Sequence, residues 1–404
     1  MLTKVSLTTA NESSRLYTVE SLVRNGSFSI FDDHRVDGKV LGDLVYDGKH
    51  WYSDKPPLLA ALTAPVYAGL LFVTGGSAPV PTLIRPNSTY YFLSLFFSGL
   101  PAILLLYFFY RSLLLVDHVH ESERIFWTGV VGLGSMIFQF ATVYSNHLIT
   151  ALFAYLAFYL LLKARKKGIL SLKLAALIGF FVGLVFALEF VIGFFMGLAV
   201  FIYFAVWKTR KELLAFIGGC LPWLIVFLVL NYLTTGSMFP WALLYLAYLG
   251  IPENATRLTV VPFSLSPART VFNYFLALFS FKKGLFLKSP ITMVAVWSMV
   301  CAMRRKNFFW REARAVVAMS VGFFTLVLAM TTDLGGGAKT LRWILPFVPL
   351  WFMFTPVTRR SRSLYTRVLL TTLIIVSITI SVWSAFDPWN SGQNYTLISL
   401  LFPL

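Results

Sequence analysis

Two short phrases near the start of the chain carry residue types that can move a proton and hold a phosphate. Asn11-Glu12-Ser13-Ser14-Arg15 sets a carboxylate and a guanidinium one helical turn apart. Tyr52-Ser53-Asp54-Lys55-Pro56-Pro57 sets a carboxylate beside an ammonium, ahead of two prolines that suit the first turn of a helix. The same polar stretch holds Asp43, Asp47, Lys39 and Lys49, and further along stand His147, Glu189, Lys283, Asp333, Lys339 and Arg342. A carboxylate within hydrogen-bond reach of a hydroxyl can take its proton. Cations can bind a phosphate or diphosphate and steady it as it leaves. Together these residues allow group transfer from a phosphorylated lipid at a membrane surface.

Each residue also has a plainer reading. Glu12 and Asp54 are acids of a solvated loop on that view. Arg15 either pairs with Glu12 across one turn or binds phosphate. His147 is a hydrogen-bonded interfacial histidine. Glu189 either lies in water at a turn or is one of the costly ionisable groups that mark function at membrane depth. Lys339 and Arg342 share a helical face and could clamp a phosphate or diphosphate, and Lys283 either meets phosphate or snorkels to lipid headgroups with Lys282 and Lys288.

The elements that must position these groups are apolar. Of 404 residues, 58% are hydrophobic and 13% charged, against roughly 25% charged in a globular domain. The chain reads as an all-α polytopic membrane protein. Its net charge of +17 sits in clusters between apolar runs, the pattern of cytoplasmic loops, which argues against a nucleic-acid partner. Cys220 and Cys301 both lie in apolar runs and make no disulfide framework or zinc spacing. Asp117, His118, His120, Glu121 and Glu123 fall in a basic cytoplasmic loop and read as solvated, and no metal is assigned.

About ten spans of the length a bilayer requires are expected, over 89–110, 125–144, 147–163, 172–189, 190–207, 213–233, 290–303, 315–331, 342–357 and 367–385. Residues 1–88 form an external catalytic loop with a juxtamembrane helix at 58–74. Residues 89–404 form the helical bundle, with an external loop at 234–289 whose segments 241–250 and 272–281 lie in the interface. Placing the basic loops 111–124, 163–173, 208–211, 304–314 and 359–367 in the cytoplasm puts the polar head outside. A polar head outside needs something to export it, so a further span upstream of Met1 is expected.

The phrase Asn11-Glu12-x-x-Arg15, followed by the run from Gly48 through Asp54-Lys55-Pro56-Pro57-Leu58, resembles the first external loop of the GT-C membrane glycosyltransferases. Within them it is similar to the branch of the family 39 protein mannosyltransferases and the lipid A aminoarabinose transferases. Tyr144-Ser145-Asn146-His147, Gly284-Leu285-Phe286 ahead of Ser289-Pro290, and Gly335-Gly336-Gly337 through Lys339, Arg342 and Pro346 resemble later pieces of those enzymes in the same order. Where those enzymes open the loop with an acidic pair, this chain has Asn11-Glu12, so one carboxylate remains at that spot.

The resemblance implies a polyprenyl-phosphate sugar as donor and a hydroxyl on a lipid, glycan or protein as acceptor. It implies an inverting transfer on the outer side of the plasma (inner) membrane, among membrane lipid. It implies Glu12 or Asp54 as base, and Arg15, Lys55, Lys283, Lys339 and Arg342 as partners of the leaving phosphate. Asn11, His147 and Glu189 complete the candidates, with no cofactor. A lipid transporter and a non-catalytic subunit of a glycan-assembly complex remain the alternatives. The orientation is testable with single cysteines in a cysteine-free background. One at His50 is expected to react with an impermeant maleimide on intact cells, and one at Lys166 only after permeabilisation.

Overall fold

The computed structural model describes residues 9–30, 35–36, 39–40, 43–46, 49–76, 88–240, 266–304, 309–330, 338–357, 363–386 and 388–389. The polar head is a built structure. Thr9 and Glu12 cap one another's backbone in a capping box that starts helix α1, Ala10–Asn25, and Gly26 ends it in left-handed backbone at φ 66°. Two short antiparallel hairpins follow. The first pairs β1 (Arg35–Val36) with β2 (Lys39–Val40), and the second pairs β3 (Leu44–Tyr46) with β4 (Trp51–Ser53). Helix α2 is Leu58–Val73. Leu16 and Val19 of α1 pack with Leu58, Leu59 and Tyr67 of α2 and with Tyr90 and Tyr144 of the bundle. The head is therefore docked on the bundle by an apolar face.

Among the described residues, six helices are long and apolar enough to cross a membrane. They are α3 (Ser88–Leu113), α6 (Asn146–Lys167), α8 (Phe190–Trp207), α9 (Arg210–Thr235), α13 (Trp310–Met330) and α15 (Leu364–Phe386). Shorter apolar helices are α2, α7 (Leu172–Leu188) and α12 (Ile291–Arg304). The protein is an all-α polytopic membrane protein, and every expected span overlaps a helical element. Helix α6 is the central pillar, packed against α3 and α7 and apolar all round in its middle, as a fully surrounded helix must be.

Two expected spans are not single helices. The run 125–144 divides into α4 (Glu121–Leu133) and α5 (Met136–Phe140) at Gly134-Ser135, where the Ser135 hydroxyl caps the second helix. The carbonyls freed by the break are satisfied internally. Ser289 Oγ donates to Gly134 O at 2.8 Å and Ser381 Oγ donates to Ser135 O at 2.6 Å. Irregular backbone at membrane depth is tolerated only under that condition.

The run 342–357 is a 3-10 turn (Arg342–Phe347), α14 (Val348–Phe352) and a second 3-10 turn (Thr355–Val357). Pro346 and Pro349 each remove a backbone donor, so a regular helix cannot run through. The segment is buried among its neighbours from Ile344 to Phe354. Helix α10 (Pro267–Phe279) overlaps the expected interfacial segment 272–281 and starts five residues before it. It exposes Val271, Phe272 and Phe275, and Asn273 donates to Leu328 O at 2.8 Å on α13. Helix α11 is Leu285–Lys288. The segment 241–250, Asp333, Gly335–Gly337 and residues 390–404 lie outside the described residues.

Helices α7 and α9 approach through glycines. A Cβ on Gly179 would stand 2.0 Å from Phe216 O, and one on Gly219 would stand 2.0 Å from Ala176 O. Small residues at such crossings let backbones meet where no hydrophobic drive separates helix from lipid. Gly219→Leu is expected to cost about 1–3 kcal/mol, the range for overpacking, read as a lower melting temperature of the detergent-solubilised protein. Gly218→Leu, whose Cβ position is open, is expected to leave it unchanged.

Candidate active site

Helix α1 sorts its polar residues by face. Asn11 and Arg15 stand four apart and share one side, where Arg15 Nε donates to Asn11 Oδ1 at 3.3 Å. Arg15 Nη2 donates to Asn146 Oδ1 at 2.8 Å, and Asn146 Nδ2 donates to Leu188 O at 3.3 Å. One asparagine thus ties the head to the first turn of α6 and the last residue of α7. Arg15 is 3% exposed, and its buried Nη1 has no hydrogen-bond partner among the described residues. Burial pulls the guanidinium below its ordinary value, with Tyr144, Glu189 and Asp54 pulling the other way.

Glu12 faces elsewhere. Its carboxylate accepts from Tyr90 Oη at 2.6 Å, from the Trp389 indole at 3.2 Å and from Thr9 N at 3.2 Å, and it is 0% exposed. Of the two readings open for Arg15, the pairing with Glu12 is not seen among the described residues; Nε and Nη2 bond the two asparagines instead.

The second phrase leaves β4 and enters α2. Lys55 Nζ lies 2.9 Å from each Asp54 carboxylate oxygen and 3.1 Å from Asp43 Oδ2. Asp43 adopts left-handed backbone at φ 58°, which aspartate tolerates better than most residues. Burial pushes the Asp54 carboxyl up, with Lys55 pulling it back. For Asp43 burial acts in the same direction, but Lys55, Arg342 and Arg15 outweigh it and hold the group low.

These pieces wall a cavity of about 270 Å³. Asn11 and Arg15 from α1, Lys55 ahead of α2, Asn146 and His147 from α6, Glu189 from the α7–α8 joint and Arg342 from the 3-10 turn line its polar side. Phe190, Val191 and Ile192 of α8 and Phe323 and Val327 of α13 form its apolar side. His147 Nδ1 lies 2.7 Å from Glu189 Oε1. The Arg342 guanidinium stacks 5.1 Å from the Trp389 ring centre. Trp389 in turn meets Phe140 edge-on and bonds Glu12. The cavity therefore presents three cations and a His–Glu pair at the mouth of an apolar wall. Among the described residues, no group of three or more His, Cys, Asp and Glu is placed to hold a metal ion.

Six of the residues singled out from sequence thus meet: Asn11, Arg15, Lys55, His147, Glu189 and Arg342. Glu12, Asp54, Lys283 and Lys339 are not among the described residues lining the cavity. Lys339 does not share a helical face with Arg342, because the 3-10 turn begins at Arg342 and Lys339 sits in the bend before it. It is 1% exposed. Its neighbour is Lys288, whose ammonium is pushed down to about 8 by burial and by the Lys339 charge. Lys283 is buried just ahead of α11.

Sequence reasoning missed Tyr90, Asn146 and Trp389 as site residues. Asn146 had a signal, since it adjoins His147. Tyr90 and Trp389 had none, being aromatics in an aromatic-rich chain.

No family model and no curated protein matches the chain. Among solved structures, the Archaeoglobus fulgidus oligosaccharyltransferase in its apo form is similar, with a TM-score of 0.53 over 96% of this chain at 14% identity. The match covers 53% of that structure, so the chain spans about half its length. At that identity the likeness is one of fold. The class it defines is the polytopic helical membrane fold on which that oligosaccharyltransferase is built.

Two outcomes follow from the buried charges. Tyr90→Phe leaves a buried carboxylate short of a donor and is expected to cost about 1.5–3 kcal/mol, seen as a lower melting temperature with no change in expression. Lys288 binds its proton less tightly folded than unfolded, so the unfolded state holds more protons between about pH 8 and the ordinary lysine value. Stability is then expected to rise with pH across that window in the wild type, and Lys288→Met is expected to flatten the rise.

Proposed function

We propose that the chain is a membrane glycosyltransferase that moves a sugar from a polyprenyl-phosphate donor to a hydroxyl acceptor. The observation that carries this reading is the Arg15 guanidinium. It is buried in a cavity wall with Nη1 unmatched among the described residues, beside Lys55 and Arg342 and above an apolar face. A buried polar group without a partner costs about 1–3 kcal/mol, and a phosphate oxygen removes that cost. Guanidinium groups suit phosphate because their donors are planar and fixed. The apolar wall of α8 and α13 accepts the polyprenyl chain.

In the reaction the acceptor oxygen attacks the anomeric carbon in line, with inversion. The bond from that carbon to the phosphate oxygen breaks and its electron pair stays on the phosphate. Arg15, Lys55 and Arg342 meet the charge that develops there, an electrostatic contribution that is strong in a site closed to water. Glu12 supports the site by fixing the helix that carries Arg15, and Asp54 by fixing Lys55. These cations supply the positive charge, and the proposal assigns no divalent metal. We infer from the basic loops that the cavity faces the non-cytoplasmic side, and we propose the plasma (inner) membrane as its location.

The test uses purified protein in nanodiscs with a panel of radiolabelled polyprenyl-phosphate hexoses and pentoses and hydroxyl acceptors. Transfer is expected, and Arg15→Gln and Arg342→Gln are each expected to lower kcat/KM by about 10²–10³. Movement of the lipid between leaflets with no transfer would identify a transporter. Binding with neither would identify a non-catalytic subunit.

A further inference from the structure

Three observations at the cavity bear on which group takes the acceptor proton. The Glu12 carboxylate is occupied by Tyr90, Trp389 and Thr9, and Asp54, bonded by Lys55 through Oδ2, is like Glu12 not among the described residues lining the cavity. Among the described residues lining the cavity, Glu189 is the one acid and His147 the one histidine. Their side chains, 6% and 12% exposed for His147 and Glu189, meet at 2.7 Å through Nδ1. A histidine whose Nδ1–H is given to a carboxylate carries its free lone pair on Nε2, which is the arrangement a general base needs.

The backbone supports that pairing. Glu189 is a single non-helical residue, at φ −146° and ψ 89°, between Leu188 of α7 and Phe190 of α8. The joint turns its carboxylate toward the first turn of α6. There the Phe140 ring meets the imidazole edge-on at 5.9 Å and restrains its tilt. The next residue along the chain, Asn146, holds Arg15 at 2.8 Å. The imidazole and the phosphate-facing guanidinium are thus set from adjacent residues of one helical turn.

We propose that His147 is the catalytic base of the transfer and that Glu189 is its positioning residue, an assignment that rests on the sugar-transfer reading above. The acceptor hydroxyl gives its proton to Nε2 as its oxygen bonds to the anomeric carbon. The Glu189 carboxylate stabilises the imidazolium that forms. The phosphate leaves with the electron pair of the broken bond, and the imidazolium then returns its proton to the released phosphate or to water.

The experiment compares wild type with His147→Ala and His147→Gln in nanodiscs, with folding checked by thermal shift. Both variants are expected to lose about 10²–10⁴ in kcat while the donor KM stays within about threefold of wild type. Added imidazole is expected to restore His147→Ala in proportion to its neutral concentration, a rescue that a structural role cannot mimic. Glu189→Gln is expected to lower kcat by at least about tenfold at unchanged donor KM, with partial recovery in Glu189→Asp. Should His147→Ala not fold, His147→Gln carries the test, since its amide can still reach Glu189. A folded His147 variant as fast as wild type, or a His147→Ala protein that is slow and deaf to imidazole, overturns the assignment and leaves sugar transfer standing. A wild type that transfers none of the sugars overturns both.

Discussion

The hydrogen bond from Arg15 to Asn146, 2.8 Å long and buried, is the contact on which the rest of the site depends. It fastens a helix of the polar head to the central helix of the bundle. Asn146 passes the restraint on to the Leu188 carbonyl, and so to the joint that holds Glu189. A guanidinium withdrawn from water at this place is tolerable only because two asparagine oxygens meet it and a cavity opens beside its remaining donors. Glu12, one turn before Arg15 on the same helix, answers with other partners. By accepting from Tyr90 and Trp389 it pins that helix to α3 and to the end of the chain's described part.

The cavity exists because the bundle is interrupted where the head docks. An unbroken helix would run straight through Glu189. The chain instead spends one extended residue there, and Gly193 lets α8 fold close against Phe186. The prolines at 346 and 349 likewise keep the segment after Arg342 from becoming a regular helix, so Arg342 enters from the side and rests on Trp389. Such interruptions are affordable only inside protein, where serine hydroxyls and neighbouring side chains replace the missing backbone bonds. The serines that bond Gly134 and Ser135 show the same solution at another break.

Lys288 and Lys339 stand apart from this scheme. Both are buried, close enough for one charge to act on the other, and neither is among the described residues lining the cavity. Burial and, after it, the Lys339 charge lower the Lys288 proton affinity, while Arg15, Lys55 and Arg342 meet asparagines, aspartates and an aromatic face.

Much of the fold was legible from residue types alone. Apolar runs long enough to cross a bilayer, separated by basic loops, dictate a polytopic helical protein, because in lipid the backbone must satisfy its own polar groups as helices or as a closed barrel, and barrel strands are short and alternating. Asn11, Arg15, Lys55, His147, Glu189 and Arg342 were also legible as candidates, since charged and polar residues are scarce in such a chain and therefore conspicuous. The capping box at Thr9 and Glu12 and the glycine at 26 were written in the sequence as helix signals too, although the head reads as a loop by composition. What only the tertiary structure decided was which of the conspicuous residues meet. Glu12 and Arg15 are three apart in sequence yet serve different partners. Lys339 and Arg342 are equally close yet part where the 3-10 turn begins. Tyr90, Asn146 and Trp389 became site residues through contacts spanning most of the chain. Composition and periodicity report each residue's local cost in lipid, but convergence is set by how helices cross and where they break, and no local property of the sequence encodes that.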